Sequence, residues 1–230
     1  MTDINKTART AGLLYLALVI CGVINLVYIP SQLIVRGNAS QTFENITQSE
    51  MLFRLGIVSG IITFLIFLLL PLILYKLLHN VNEAYARLMV VFAMVSIPIS
   101  FINILNKFSV LTLISGAEYL KQMDLTELQN QVMLQLDYYN NGIELSQIFW
   151  GLWLFPFGYL VFRSKFLPKL LGVLLMAGCF GYLITFFGGF IYADFNETIL
   201  SDIVSMPAPL GEIGTCLWLL IMGTNKLRSN

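Results

Sequence analysis

The sequence predicts an all-α membrane bundle: six transmembrane helices, both ends on the cytoplasmic side, and amphipathic helices on the outer face. Three observations predict it. Hydrophobic residues make up 57% of the 230 and charged residues 11%, against about 25% charged in an ordinary soluble domain. Six apolar stretches approach or exceed the roughly 20 residues with which a helix crosses about 30 Å of hydrocarbon. Lys and Arg alternate between dense and sparse from one connecting segment to the next, as retention of positive charge in cytoplasmic loops requires.

The spans are expected at about 11–29, 55–75, 88–108, 145–162, 170–191 and 208–223, in one integral membrane domain over residues 1–230. Lys6 and Arg9 ahead of the first run imitate a signal peptide. The run is too long for a signal core and no A-x-A site follows, so it reads as a retained first span. The sixth span is short, with Pro207 and Lys226 marking its ends.

With the N-terminus inside, the inner segments hold Lys6, Arg9, Lys76, Arg87, Arg163, Lys165, Lys169, Lys226 and Arg228, nine of the thirteen basic residues. The outer segments hold Arg36, Arg54, Lys107 and Lys121, while the only inner acids are Asp3 and Glu83. A five- or seven-span chain would break this alternation. The inner connections are short, so spans two and three, and four and five, are antiparallel neighbours. Pro168 suits the first helical position of span five.

The outer connections are amphipathic. Asp124-Leu125-Thr126-Glu127 resembles a capping box, and Leu125, Leu128, Val132 and Leu136 follow at helical spacing. This segment is expected to lie on the outer surface or to cap the bundle. Shorter helices are expected around Phe43 and Ile46 and over Asn196 to Val204. Gly56 with Gly60, Gly151 with Gly158, and the glycines of span five are small residues that let helix backbones approach within one bundle. Pro71, Pro98 and Pro156 fall inside spans two, three and four, where each removes a backbone donor.

Ionisable groups inside a bilayer are costly and mark candidate sites. Glu212, five residues past Pro207, lies roughly 7–8 Å below the outer boundary by helical rise. Arg54, Asn103, Lys107, Glu144 and Gln147 fall at a similar level. Asn25 and Asn106 are further polar residues of this outer half. Two readings follow: interfacial anchors with one buried pair, such as Arg54 with Glu212, or a pocket open to the outside that binds a small polar or amphiphilic molecule.

No catalytic residue stands out. The single histidine, His79, sits in an inner loop beside Lys76. That excludes HExxH chemistry and leaves no Ser-His dyad within the spans. GxSxG, Walker A and GxGxxG are absent. The three cysteines have no metal or disulfide spacing, so no metal and no cofactor are expected. A zero net charge with no basic cluster argues against a nucleic-acid partner.

Leu52-Phe53-Arg54-Leu55-Gly56, the run Phe149 to Tyr159 followed by Arg163 to Leu175 and Gly181-Tyr182-Leu183, and Gly211 to Gly223 together resemble a bacterial membrane family, DUF4386, a domain of unknown function. The resemblance covers nearly the whole chain. It implies a multi-pass protein of the bacterial cytoplasmic membrane and brings no activity, substrate or catalytic residue. Span three and the loop after it match the family pattern poorly.

The expected partners are the lipid bilayer and a small-molecule or lipid ligand. Binding or transport of such a molecule leads, with Arg54 and Glu212 central and Asn103, Lys107, Glu144 and Gln147 at the mouth. A structural or sensory membrane component is the alternative, and an intramembrane enzyme ranks third.

Overall fold

Apolar side chains at nearly every position leave a backbone only one way to satisfy its own N–H and C=O groups in lipid, the helix. The computed structural model describes residues 3–192 and 194–224. Two basic residues of the orientation argument, Lys226 and Arg228, lie outside the described residues. Among the described residues 87% are helical, none lies in a strand, and six helical stretches are long and apolar enough to cross a membrane.

The first stretch comprises α1 (Asp3–Val23), a π-helical turn (Ile24–Tyr28) and α2 (Ile29–Leu33). α3 (Ala39–Gln48) follows, then α4 (Glu50–Leu78) and α5 (Glu83–Ile114), the second and third stretches. The fourth is α6 (Leu125–Arg163) and the fifth α7 (Lys169–Ile191). α8 (Ile199–Ser205) leads into α9 (Pro207–Ile221), and together they form the sixth. The first four stretches overrun their expected spans. The 32 residues of α5 extend about 48 Å, well beyond about 30 Å of hydrocarbon.

One expectation needs correction. The segment beginning at Leu125 is no separate helix on a bilayer surface: it continues without a break into span four as the 39-residue α6. Val132, Leu136 and Tyr139 are buried while Leu125 is exposed, so the later part of its apolar stripe closes against protein, as a cap would. Asp124 caps the helix, its Oδ1 accepting from the Glu127 N–H at 2.8 Å. The short helices around Phe43 and before span six are present as α3 and α8. Pro168 is the N-cap residue of α7, one position before the first helical residue. Pro71, Pro98 and Pro156 all lie inside continuous helices.

The chain divides into two compact units, and the division falls inside α1, α4, α5 and α6. One unit comprises residues 19–65 and 98–143. Its core includes Ile29, Ile46, Phe64, Ile104, Val132 and Leu136. Gly56 and Gly60 pack on this interior: a Cβ on Gly56 would meet the Ile29 side chain at 3.1 Å.

The other unit comprises residues 1–18, 66–97 and 144–230. Backbones meet at glycines here. A Cβ on Gly158 would lie 2.7 Å from the Gly172 carbonyl, and one on Gly178 2.7 Å from the Ala208 Cα. The Gly12 backbone lies against Leu220, whose Cα would be 2.7 Å from an added Cβ. An aromatic cluster of Tyr15, Phe67, Trp153 and Phe157 fills the space beside this crossing.

Candidate functional site

The unit of residues 19–65 and 98–143 holds a buried polar cluster, and its construction starts at Pro30. Proline has no N–H to continue the helical ladder. Just before it the helix widens by one residue, with the Ile29 N–H bonding to the Ile24 carbonyl. Such π turns recur at functional sites. This one carries Asn25, which is 1% exposed.

Asn25 meets α5 and α6. The Lys107 Nζ donates to Asn25 Oδ1 at 2.9 Å, and the Asn25 amide nitrogen is 3.2 Å from the Tyr139 hydroxyl, to which it donates. Lys107 also stands over the Tyr139 ring, 4.1 Å from its centroid, a cation–π arrangement. Below that ring the Asn103 amide donates to the Tyr139 backbone carbonyl at 2.8 Å. The Asn106 amide donates in turn to Asn103 Oδ1 at 2.9 Å.

Two glycines make room. A Cβ on Gly60 would sit 3.1 Å from the Asn25 amide nitrogen, and one on Gly142 would overlap the Asn103 amide. Lys107 is 4% exposed. The ion pairs among the described residues are Arg54–Glu50, Arg87–Glu83 and Lys121–Glu118; Lys107 belongs to none. Asn106 is the partly exposed member of the cluster.

A second polar group lies in the other unit. The Tyr15 hydroxyl, fully buried, donates to Glu212 Oε1 at 3.1 Å. Glu212 is half-buried on α9. One turn further, the Thr215 hydroxyl is buried without a partner among the described residues. Cys216 is 2% exposed, its thiol 3.6 Å from the Gly12 carbonyl.

The structure brings two of the six expected site residues together, Asn103 and Lys107. Arg54 is ion-paired one turn back to Glu50 at 2.6 Å with 52% of its side chain exposed. It is therefore not half of a buried pair, and the partner found for Glu212 is Tyr15. Glu144 is exposed and Gln147 half-buried on α6.

Tyr139 was missed because it precedes the expected start of span four and looks like an interfacial aromatic. Its signal was the neighbouring Gly142, a close-approach position one turn away. Tyr15 was missed among apolar neighbours. Its spacing from Ala8, Ala11 and Gly12, all on one helical face and all buried, marks it as inward-facing.

Six helices among the described residues, each long and apolar enough to cross a membrane, define a polytopic α-helical membrane protein. Within that class, the chain belongs to the DUF4386 family, a domain of unknown function whose family model matches residues 10–223. The chain is similar to an archaeal protein of Archaeoglobus fulgidus described as an uncharacterized protein. The two are 33% identical over 84 residues, covering 28% of this chain and 52% of the archaeal one. The chain thus spans about half the length of this curated relative. No solved structure matches it.

Proposed function

We propose that this membrane protein binds a small or lipid-like molecule through an acidic head group, and that Lys107 supplies the counter-charge. The supporting observation is the state of Lys107 itself. Its amino group is buried, held by one amide oxygen and one ring face, with no carboxylate within 4.0 Å among the described residues. A lysine so placed is tolerated when it is neutral or when an anion joins it. An intramembrane cation without an internal partner is a functional feature by default.

In this reading Asn25 and Asn103 position the head group, and Asn106 leads to the cluster from the surface. Arg54, Glu144, Gln147 and Glu212 stand outside the ligand-binding set. The charge distribution supports a cytoplasmic N-terminus with the cluster toward the outer face, and the family resemblance supports a bacterial cytoplasmic membrane.

A second reading has one specific observation in its favour. The hydrogen bonds linking Lys107, Asn25, Tyr139, Asn103 and Asn106 form a connected set, as a purely structural clamp would.

The test uses laurate as an acid-headed probe and methyl laurate as its uncharged control, with the protein in phosphatidylcholine nanodiscs. Laurate is expected to bind the wild type about tenfold more tightly than the ester, a difference of about 1.4 kcal/mol. Lys107→Met is expected to abolish that preference. Equal binding of acid and ester by the wild type, or an undiminished preference in Lys107→Met, contradicts the proposal.

A further inference from the structure

The turns joining α4 to α5 and α6 to α7 border an open cavity of about 770 Å³, within the range of about 300–1,000 Å³ typical of small-molecule sites. Asn80 faces it from one turn, and Arg163, Lys165 and Lys169 from the other. No acidic residue lines it, and none of the three basic residues is in an ion pair among the described residues. Retention of positive charge in cytoplasmic loops explains why such residues occur in a connecting segment. It does not explain why three of them line one cavity that no acidic residue lines.

The α6–α7 turn is a fixed frame. The Ser164 N–H donates to the Leu160 carbonyl at 2.8 Å, and its hydroxyl donates to the Val161 carbonyl at 2.8 Å. Leu167 is buried, and the Trp218 indole N–H donates to the Phe166 carbonyl at 3.1 Å. Basic side chains carried on such a frame lose less freedom when they close on a ligand. Lys169 opens the 23-residue α7, whose free N–H groups and dipole add to the attraction for an anion. Val81, Phe162 and Leu167 line the remaining wall. The cavity therefore joins a cationic side to an apolar side at the ends of membrane-spanning helices.

We infer that this cavity is a binding site for a phosphate ester carried by an anionic phospholipid, the head group on Arg163, Lys165 and Lys169 and the glycerol end against Val81, Phe162 and Leu167. Basic pockets between spanning helices suit such head groups.

The experiment is native mass spectrometry of the protein extracted from vesicles of equal phosphatidylglycerol and phosphatidylcholine. The wild type is expected to retain phosphatidylglycerol about tenfold over phosphatidylcholine, a difference of about 1.4 kcal/mol. Arg163→Gln/Lys165→Gln/Lys169→Gln is expected to lose that preference, and Lys165→Gln alone, in the exposed part of the turn, to lose a measurable part of it. Lys6→Gln/Lys76→Gln/Arg87→Gln removes the same charge elsewhere and is expected to keep it. Equal loss in both triple variants means diffuse attraction and overturns the inference. Displacement of the retained lipid by millimolar glycerol phosphate assigns the cavity to soluble phosphate esters and overturns the lipid assignment. Arg163→Gln/Lys165→Gln/Lys169→Gln is expected to keep the wild-type preference for laurate over methyl laurate, so failure here and failure at the Lys107 cluster are separately visible.

Discussion

Lys107 and Glu212, two ionisable groups carried on candidate spanning helices, have opposite surroundings. Lys107 is sealed among side chains from the first span, α5 and α6, with a ring face and an amide oxygen around its amino group. Glu212 is half-buried and accepts a hydrogen bond from Tyr15, itself a member of an aromatic cluster. On the ligand-binding reading Lys107 lacks a counter-charge, whereas Glu212 has a phenol donor. The difference teaches that depth along a span, read from the sequence, ranks such residues poorly. Glu212 looked the more unusual of the two, and Lys107 is the more deeply buried.

Substitutions at the helix crossings break this comparison most forcibly. Gly12→Ala puts a methyl group against the Leu220 backbone, which cannot yield as a side chain would. A loss of about 3 kcal/mol is expected, the upper end for overpacking, measured by chemical unfolding in mixed micelles. Gly142→Ala meets the Asn103 amide instead. That side chain can turn away at the cost of its bond to the Tyr139 carbonyl, so about 2 kcal/mol is expected by the same measurement.

The Glu212 side is sharpened by smaller changes. Tyr15→Phe removes the hydroxyl donor and is expected to cost about 1–2 kcal/mol. Glu212→Gln keeps an oxygen that accepts from Tyr15 and should cost less. The reverse order in unfolding experiments would mean that the charge of Glu212, and not its hydrogen bond, matters. Thr215→Val exchanges a buried hydroxyl without a partner among the described residues for a methyl group and is expected to stabilise by about 1 kcal/mol. A loss of stability there would show that the hydroxyl is in use. Arg54→Gln, which breaks an exposed one-turn ion pair, should change stability by less than about 0.5 kcal/mol.

Much of the fold was legible because lipid imposes a simple code. Apolar length gives the spans, and glycines mark where backbones meet, as Gly158 and Gly172 do. The length of α6 was not legible. Its first half carries Gln129, Asn130 and Gln135, which read as a separate helix on the outer surface or capping the bundle, yet a helix can run unbroken from protein-capped to lipid-facing surroundings. The candidate site was half legible: Asn103 and Lys107 stood out as polar residues in span three. Their partners depended on a π turn set by Pro30 and on Tyr139, ahead of the expected start of span four. Neither follows from hydropathy, because both arise where helices cross.

The central claim is that Lys107 takes its counter-charge from an acid-headed ligand. It is tested most directly by unfolding the wild type and Lys107→Met with and without saturating laurate in mixed micelles. The ligand-binding account expects Lys107→Met to be no less stable than the wild type, since it removes a costly buried amine. It also expects laurate to stabilise the wild type alone, by an amount that grows with its concentration. A marked loss of stability in Lys107→Met, with laurate acting equally on both proteins, would contradict the account and make Lys107 part of a structural clamp.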